Sequence, residues 1–94
     1  MKIEKTTLKI FLTSGVTLTV SEDEKVMDMD EKEMDLFALS ELIEDAIENK
    51  STLEFVAVIN HPYKDEEDKE QNQEVKHYYN IPSERISWYM IEEV

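Results

Sequence analysis

Asp30 to Lys50 reads DEKEMDLFALSELIEDAIENK. It is the only long stretch of the chain with helical period, and strand-like segments flank it on both sides. Set out at about 100° per residue, Leu36, Leu39, Ile43, Ala46 and Ile47 fall on one side, with Leu42 and Ser40 at its margins. Glu41, Glu44, Asp45 and Glu48 fall opposite, together with Ala38. The spacing predicts one amphipathic helix with an acidic outer face, whose inner face needs a flat apolar surface to cover it. Asp30 is placed as the N-cap with Glu33 as its capping-box partner, and Asn49-Lys50-Ser51 as the stop.

Upstream, Ile3, Leu8, Ile10 and Leu12 sit among polar residues, and Val16, Leu18 and Val20 alternate again after Thr13-Ser14-Gly15. A two-residue loop would pair Leu12 with Thr17 and put apolar and polar side chains on the same face. A three-residue loop pairs Leu12 with Val16, Ile10 with Leu18 and Leu8 with Val20, so all six share a face. Such a loop wants a left-handed residue at its last position, and the chain's single glycine, Gly15, stands there.

Between this hairpin and the helix the chain is acid-rich, with Val26, Met27, Met29 and Met34 interspersed. Asp28, Asp30 and Glu33 could supply oxygens to a cation. An EF-type calcium loop needs a glycine at its sharp turn and six ligand positions, and both are missing. Residues 22–30 therefore read as a solvated acidic linker. Downstream, Leu53 to Ile59 (LEFVAVI) is nearly continuous apolar sequence rich in β-branched residues, the pattern of a central strand covered on both faces. His61-Pro62 is expected to end it. Residues 62–73 are taken as a second acidic surface loop, because Asp65 to Gln73 (DEEDKEQNQ) has no hydrophobic side chain. Two more strands follow, Val75 to Ile81 and Arg85 to Ile91, joined by a tight turn at Pro82-Ser83-Glu84. Val75, His77, Tyr79 and Ile81 share one face of the first. Ile86, Trp88 and Met90 share one face of the second, with Tyr89 and Ile91 opposite.

The order β-β-α-β-β-β gives an α+β fold in a single domain, 1–94. One helix cannot cover five strands on both faces, so the expected architecture is a curled five-stranded antiparallel sheet with the helix packed across it. The alternative is a small barrel in which the last strand pairs back near the first. Tyr79-Asn80-Ile81-Pro82-Ser83-Glu84-Arg85-Ile86 resembles the strand, short turn, strand ending of SH3 and Sm barrels, and the helix after the second strand departs from both patterns. More broadly, L-x-I-x-L-x-S-G-x-x-L-x-V from Leu8 to Val20 and I-P-x-x-x-I-x-x-x-x-I-E from Ile81 to Glu92 are similar to short uncharacterised proteins of Gram-positive bacteria and their phages. That likeness implies a fold and a phage or prophage origin. It carries no catalytic residue across.

Twenty-three acidic residues against ten basic ones leave a net charge of −13. Such a surface repels nucleic-acid and membrane phosphates and attracts a basic partner over a Debye length of about 8 Å. Disorder is not expected, because the hydrophobic 40% of the chain is patterned. Without cysteine there is no disulfide framework and no Cys-based zinc site. The N-terminus is charged and no apolar run approaches 18 residues, so a cytoplasmic protein is expected. His61 and His77 lack ligand spacing, and His77 reads as a sheet residue. Ser14 has neither the motif nor the following helix of a nucleophile elbow, and one glycine cannot build a phosphate loop. The expectation is a protein that is not an enzyme, has no cofactor or metal, and makes no direct nucleic-acid contact.

Two functional readings follow. In the first, this is an acidic binding protein whose helix carboxylates Glu41, Glu44, Asp45 and Glu48, helped by Asp65, Glu66, Glu67 and Asp68 of the loop, meet a basic protein partner in the manner of a DNA mimic. In the second, it is a structural or assembly subunit, a homo-oligomer held through an exposed aromatic sheet face. Trp88 is then expected in the core, while Tyr78 and Tyr89 with Ile91 form that face.

Overall fold

The computed structural model describes residues 5–93, which build an α+β fold of antiparallel strands around one helix. In chain order the elements are β1 (Thr6–Leu12), β2 (Thr17–Ser21), β3 (Lys25–Met27), β4 (Glu33–Met34), α1 (Leu36–Glu48), β5 (Thr52–Lys64), β6 (Glu70–Pro82), a 3-10 turn (Ser83–Arg85) and β7 (Ile86–Glu93). The expected single curled sheet is split in two, a three-stranded sheet β2-β1-β7 and a four-stranded sheet β4-β3-β5-β6. The chain crosses between them at the bend 22–24 and again at the 3-10 turn. Strand β7 does return to β1, as the barrel alternative required, but among the described residues no ladder closes the ring.

Strand β1 meets β2 in the register of the three-residue loop, with Leu8 opposite Val20 and Ile10 opposite Leu18. The Leu12 N–H donates to the Val16 carbonyl at 2.9 Å, and Gly15 has φ +93°. Leu8, Ile10 and Val20 are buried there, whereas Val16, at the end of the hairpin, is exposed. They join Val26, Leu53, Phe55 and Ile81 of the second sheet and Leu36, Leu39, Ile43 and Ala46 of α1 in one core. The helix packs on β1, β5 and the 3-10 turn. Ile47, assigned to the buried face, is instead exposed beside Lys50 and Pro82, at the end of the helix where the sheets no longer cover it. Met27, Val56 and Val58 form a smaller cluster on the other face, so β5 is covered on both sides as its composition requires.

Residues 22–30 are not a linker. Lys25–Met27 pairs with β5 on one side and β4 on the other, and Val26 and Met27 are buried. Because β4 occupies 33–34, the helix starts later than expected, and Asp30 and Glu33 do not cap it. Asp35 is the N-cap, its carboxylate accepting the Ala38 N–H at 2.7 Å. At the other end Lys50 is left-handed, with φ 53°, and the Ser51 N–H donates to the Ala46 carbonyl at 2.9 Å, a Schellman closure without the usual glycine.

Nor do His61 and Pro62 end β5. Strands β5 and β6 pair without a register shift from Thr52 opposite Pro82 to Lys64 opposite Glu70, so 62–73 is mostly a ladder and only 65–69 turns. Pro62 fits because β3 pairs only with Val56 to Val58, which leaves the second edge of β5 free of hydrogen-bond demand farther out. Residues 60–64 and 70–74 are exposed, so this ribbon projects from the core. The radius of gyration records it: 15.3 Å, against about 12 Å for a compact chain of this length. Among the described residues no helix is long and apolar enough to cross a membrane.

Candidate functional site

The outer face of α1 is held by the packing beneath it. Leu39 and Ile43 have no exposed surface, which fixes the rotation of the helix about its axis. Glu41, Glu44, Asp45 and Glu48 consequently all point to solvent, in a row about 10 Å long at 1.5 Å per residue. Glu44 accepts a hydrogen bond from the Tyr89 hydroxyl of β7. Burial, and then the Glu44 carboxylate, push the Tyr89 phenol up to about 12. Among the described residues no lysine or arginine forms an ion pair with any of the four carboxylates. The last turn of the helix holds no basic residue, although Asp45 and Glu48 sit there against the negative end of its dipole.

The loop carboxylates are elsewhere and differently employed. Asp65 accepts the backbone N–H groups of Glu67 at 2.9 Å and Lys69 at 3.0 Å, and also the Gln71 side-chain amide. The Lys69 and Glu67 N–H groups are the main reason its carboxyl lies below the usual range. Glu67 pairs with Lys69 at 3.4 Å and Asp68 with Lys64 at 3.7 Å, while Glu66 is exposed. From Phe55 under the helix to Asp65 is ten residues of extended chain, roughly 33 Å. Helix and loop carboxylates therefore do not form one surface.

The aromatic residues are also redistributed. Trp88, expected in the core, is 52% exposed and stacks on Phe11 at 3.9 Å on the outer face of the three-stranded sheet. Tyr89 and Ile91, expected outside, pack against the core. The cause is a bulge: β1 pairs Phe11 with Trp88 but Leu12 with Ile86, so Ser87 is extra and the alternation inverts behind it. Tyr78 is 65% exposed on the other sheet, so Tyr78 and Tyr89 make no common face. Tyr79 turns inward and stacks on Phe55 at 4.7 Å.

One arrangement had no signal in the sequence. The bend after β2 and the turn before β4 bring Glu22, Glu24, Glu33 and Asp35 around a shallow cleft of about 460 Å³ with Val26, Met34 and Leu36. Burial raises the Glu24 carboxyl, opposed chiefly by nearby His77. Asp35 is already engaged as the helix cap. Asp28, considered above with Asp30 and Glu33 for a cation, gives its carboxylate to the N–H groups of Asp30 and Lys32. Among the described residues no three His, Asp or Glu side chains converge as metal ligands. His61 and His77 lie opposite Gln73 and Ala57, well apart along the ribbon.

The chain matches no protein-family model, no curated protein and no solved structure.

Proposed function

We propose that this is a non-enzymatic binding protein of the cytoplasm that engages a basic protein surface through the outer face of α1. What carries the reading is the way α1 carries its charge. Asp45 and Glu48 stand in the last helical turn with no cation paired to them among the described residues. The dipole disfavours each by about 0.3–1 kcal/mol. The like-charged pairs Glu41/Asp45 and Glu44/Glu48 cost a few tenths of a kcal/mol more, roughly. Apart from the Tyr89 hydrogen bond to Glu44, the fold offers these carboxylates no partner among the described residues, and a lysine-rich partner would relieve the repulsion. A rigid row of carboxylates is also what a DNA mimic offers to a phosphate-binding protein, which suits a phage or prophage origin.

Affinity for a lysine-rich polypeptide, measured across a salt series, tests the reading with two variants of similar charge change. In the first, Glu41, Asp45 and Glu48 become Lys and Glu44 becomes Gln, which keeps an acceptor for Tyr89. In the second, Glu66, Glu67 and Asp68 at the ribbon tip become Lys. The first variant should lose about tenfold or more in affinity and most of the salt dependence, and the second should keep both. Equal losses in the two would assign binding to overall charge and remove the helix from the account.

A further inference from the structure

Strand β6 has only one hydrogen-bonded neighbour among the described residues, β5, so every second residue along its other edge turns an N–H and a C=O toward solvent. The two edges of the ribbon differ. The free part of β5 is interrupted by Pro62, which has no N–H to offer. Strand β6 has no proline before Pro82 and no bulge in its thirteen residues. It also carries little charge. Gln71 to Pro82 has only Glu74 and Lys76, which cancel, so the remainder of the chain carries the whole −13.

We infer that the β6 edge is a self-association site, where a second copy of this chain pairs antiparallel about a two-fold axis at Val75. A second copy is the occupant that the side chains specify. In that register Val75 meets its own counterpart, Lys76 faces the partner's Glu74 and Glu74 faces the partner's Lys76. His77 then lies opposite the partner's Gln73, Tyr78 opposite the partner's Asn72 and Tyr79 opposite the partner's Gln71. The ladder runs from Glu70 to Asn80 of each copy. Centring it on Lys76 or on Glu74 sets like charges against each other, which opposes pairing. Centring on His77 needs the end of β6, where the β1–β2 turn already stands beside Asn80, Ile81 and Pro82. Among the described residues Lys76 forms one ion pair, a 3.8 Å contact with exposed Glu31, which leaves it able to reach across. The inference does not rest on the docking role of α1: the helix lies on other strands, and either can fail without the other.

Light scattering across a concentration series gives the first readout. Wild type should approach twice the chain mass of 11.1 kDa as concentration rises. Lys76→Glu should weaken the dimer about tenfold or more, and Glu74→Lys combined with Lys76→Glu should restore it. Register is read separately, since the natural chain has no cysteine. Opposed residues of an antiparallel pair lie about 4.5–5.5 Å apart between Cα atoms, within disulfide reach. Val75→Cys should therefore oxidise to a covalent dimer, whereas Gln73→Cys, about 13 Å from its symmetry mate, should not. A wild type that stays monomeric with Val75→Cys unlinked would overturn the inference, as would equal cross-linking at both positions.

Discussion

Two acidic runs, one on α1 and one at the tip of the β5–β6 ribbon, look alike in the sequence and are used in opposite ways. At the tip, Asp65 holds backbone N–H groups, Glu67 has Lys69, and Asp68 has Lys64 one helical-type spacing away. On the helix, Glu41, Asp45 and Glu48 have no such partner among the described residues, and Glu44 has only a phenol. Density of charge therefore does not mark a site. What separates the two is whether the chain answers its own carboxylates. At the tip all but Glu66 are answered, and on the helix face only Glu44 is, among the described residues.

The contrast is sharpest in stability. Ile43→Ala, beneath the acidic face, should cost about 2–5 kcal/mol in denaturant unfolding, because it empties a fully buried position. Glu66→Ala at the exposed tip should leave the same midpoint within error. A smaller effect is expected at the β1–β2 turn. Gly15→Ala should cost about 1 kcal/mol, and since nothing lies within 4 Å of the added Cβ, the cost is the left-handed backbone alone. Lys50→Gly at the helix end should work in the opposite direction, raising stability by about 0.5–1 kcal/mol.

Two pH dependences extend the comparison. The Tyr89 phenol is raised from about 10 to about 12 in the folded protein. Its contribution is thus complete below pH 10 and is lost as pH rises through 12. Melting temperatures over that window should fall less steeply for Tyr89→Phe than for wild type. Asp65 has the opposite sign: its carboxyl is lowered, so its support of the turn is present above the usual carboxylate range and fades as pH falls through the folded value. Protection of the Glu67 and Lys69 amides relative to their intrinsic exchange should fall there, and Asp65→Ala should bring the same loss at neutral pH without moving the global midpoint.

Much of the fold was legible. Alternation and the lone glycine set the β1–β2 register, and helical period picked out the inner residues of α1 except Ile47. The other two hairpin turns share the frame of the first. In 12–16, 28–32 and 65–69 the first N–H donates to the fifth carbonyl, and the fourth N–H donates to the first carbonyl. Only the first shows glycine at the left-handed fourth position, whereas Glu31 and Asp68 fill it in the others. The readable signal was instead the first-position aspartate, in DMDEK and DEEDK, whose carboxylate takes the N–H groups of the third and fifth residues. Missing it turned a short hairpin into a linker and half a ribbon into a loop. The aromatic face differs for two reasons: the bulge at Ser87 reverses Trp88 and the side chains after it and leaves no mark in composition, and the split of the sheet sets Tyr78 apart from Tyr89. At the candidate site, the helix carboxylates were legible from period alone. That the loop carboxylates stand apart from them was not, because it depends on how far β5 and β6 stay paired.

The proposed landing of a basic partner on the outer face of α1 is tested most directly by a backbone amide NMR titration with a short lysine-rich peptide. Shift changes should concentrate on residues 40–49, with those of 64–70 unmoved, and should vanish as salt is raised. Changes centred on the ribbon tip, or spread evenly over the acidic surface, would contradict it.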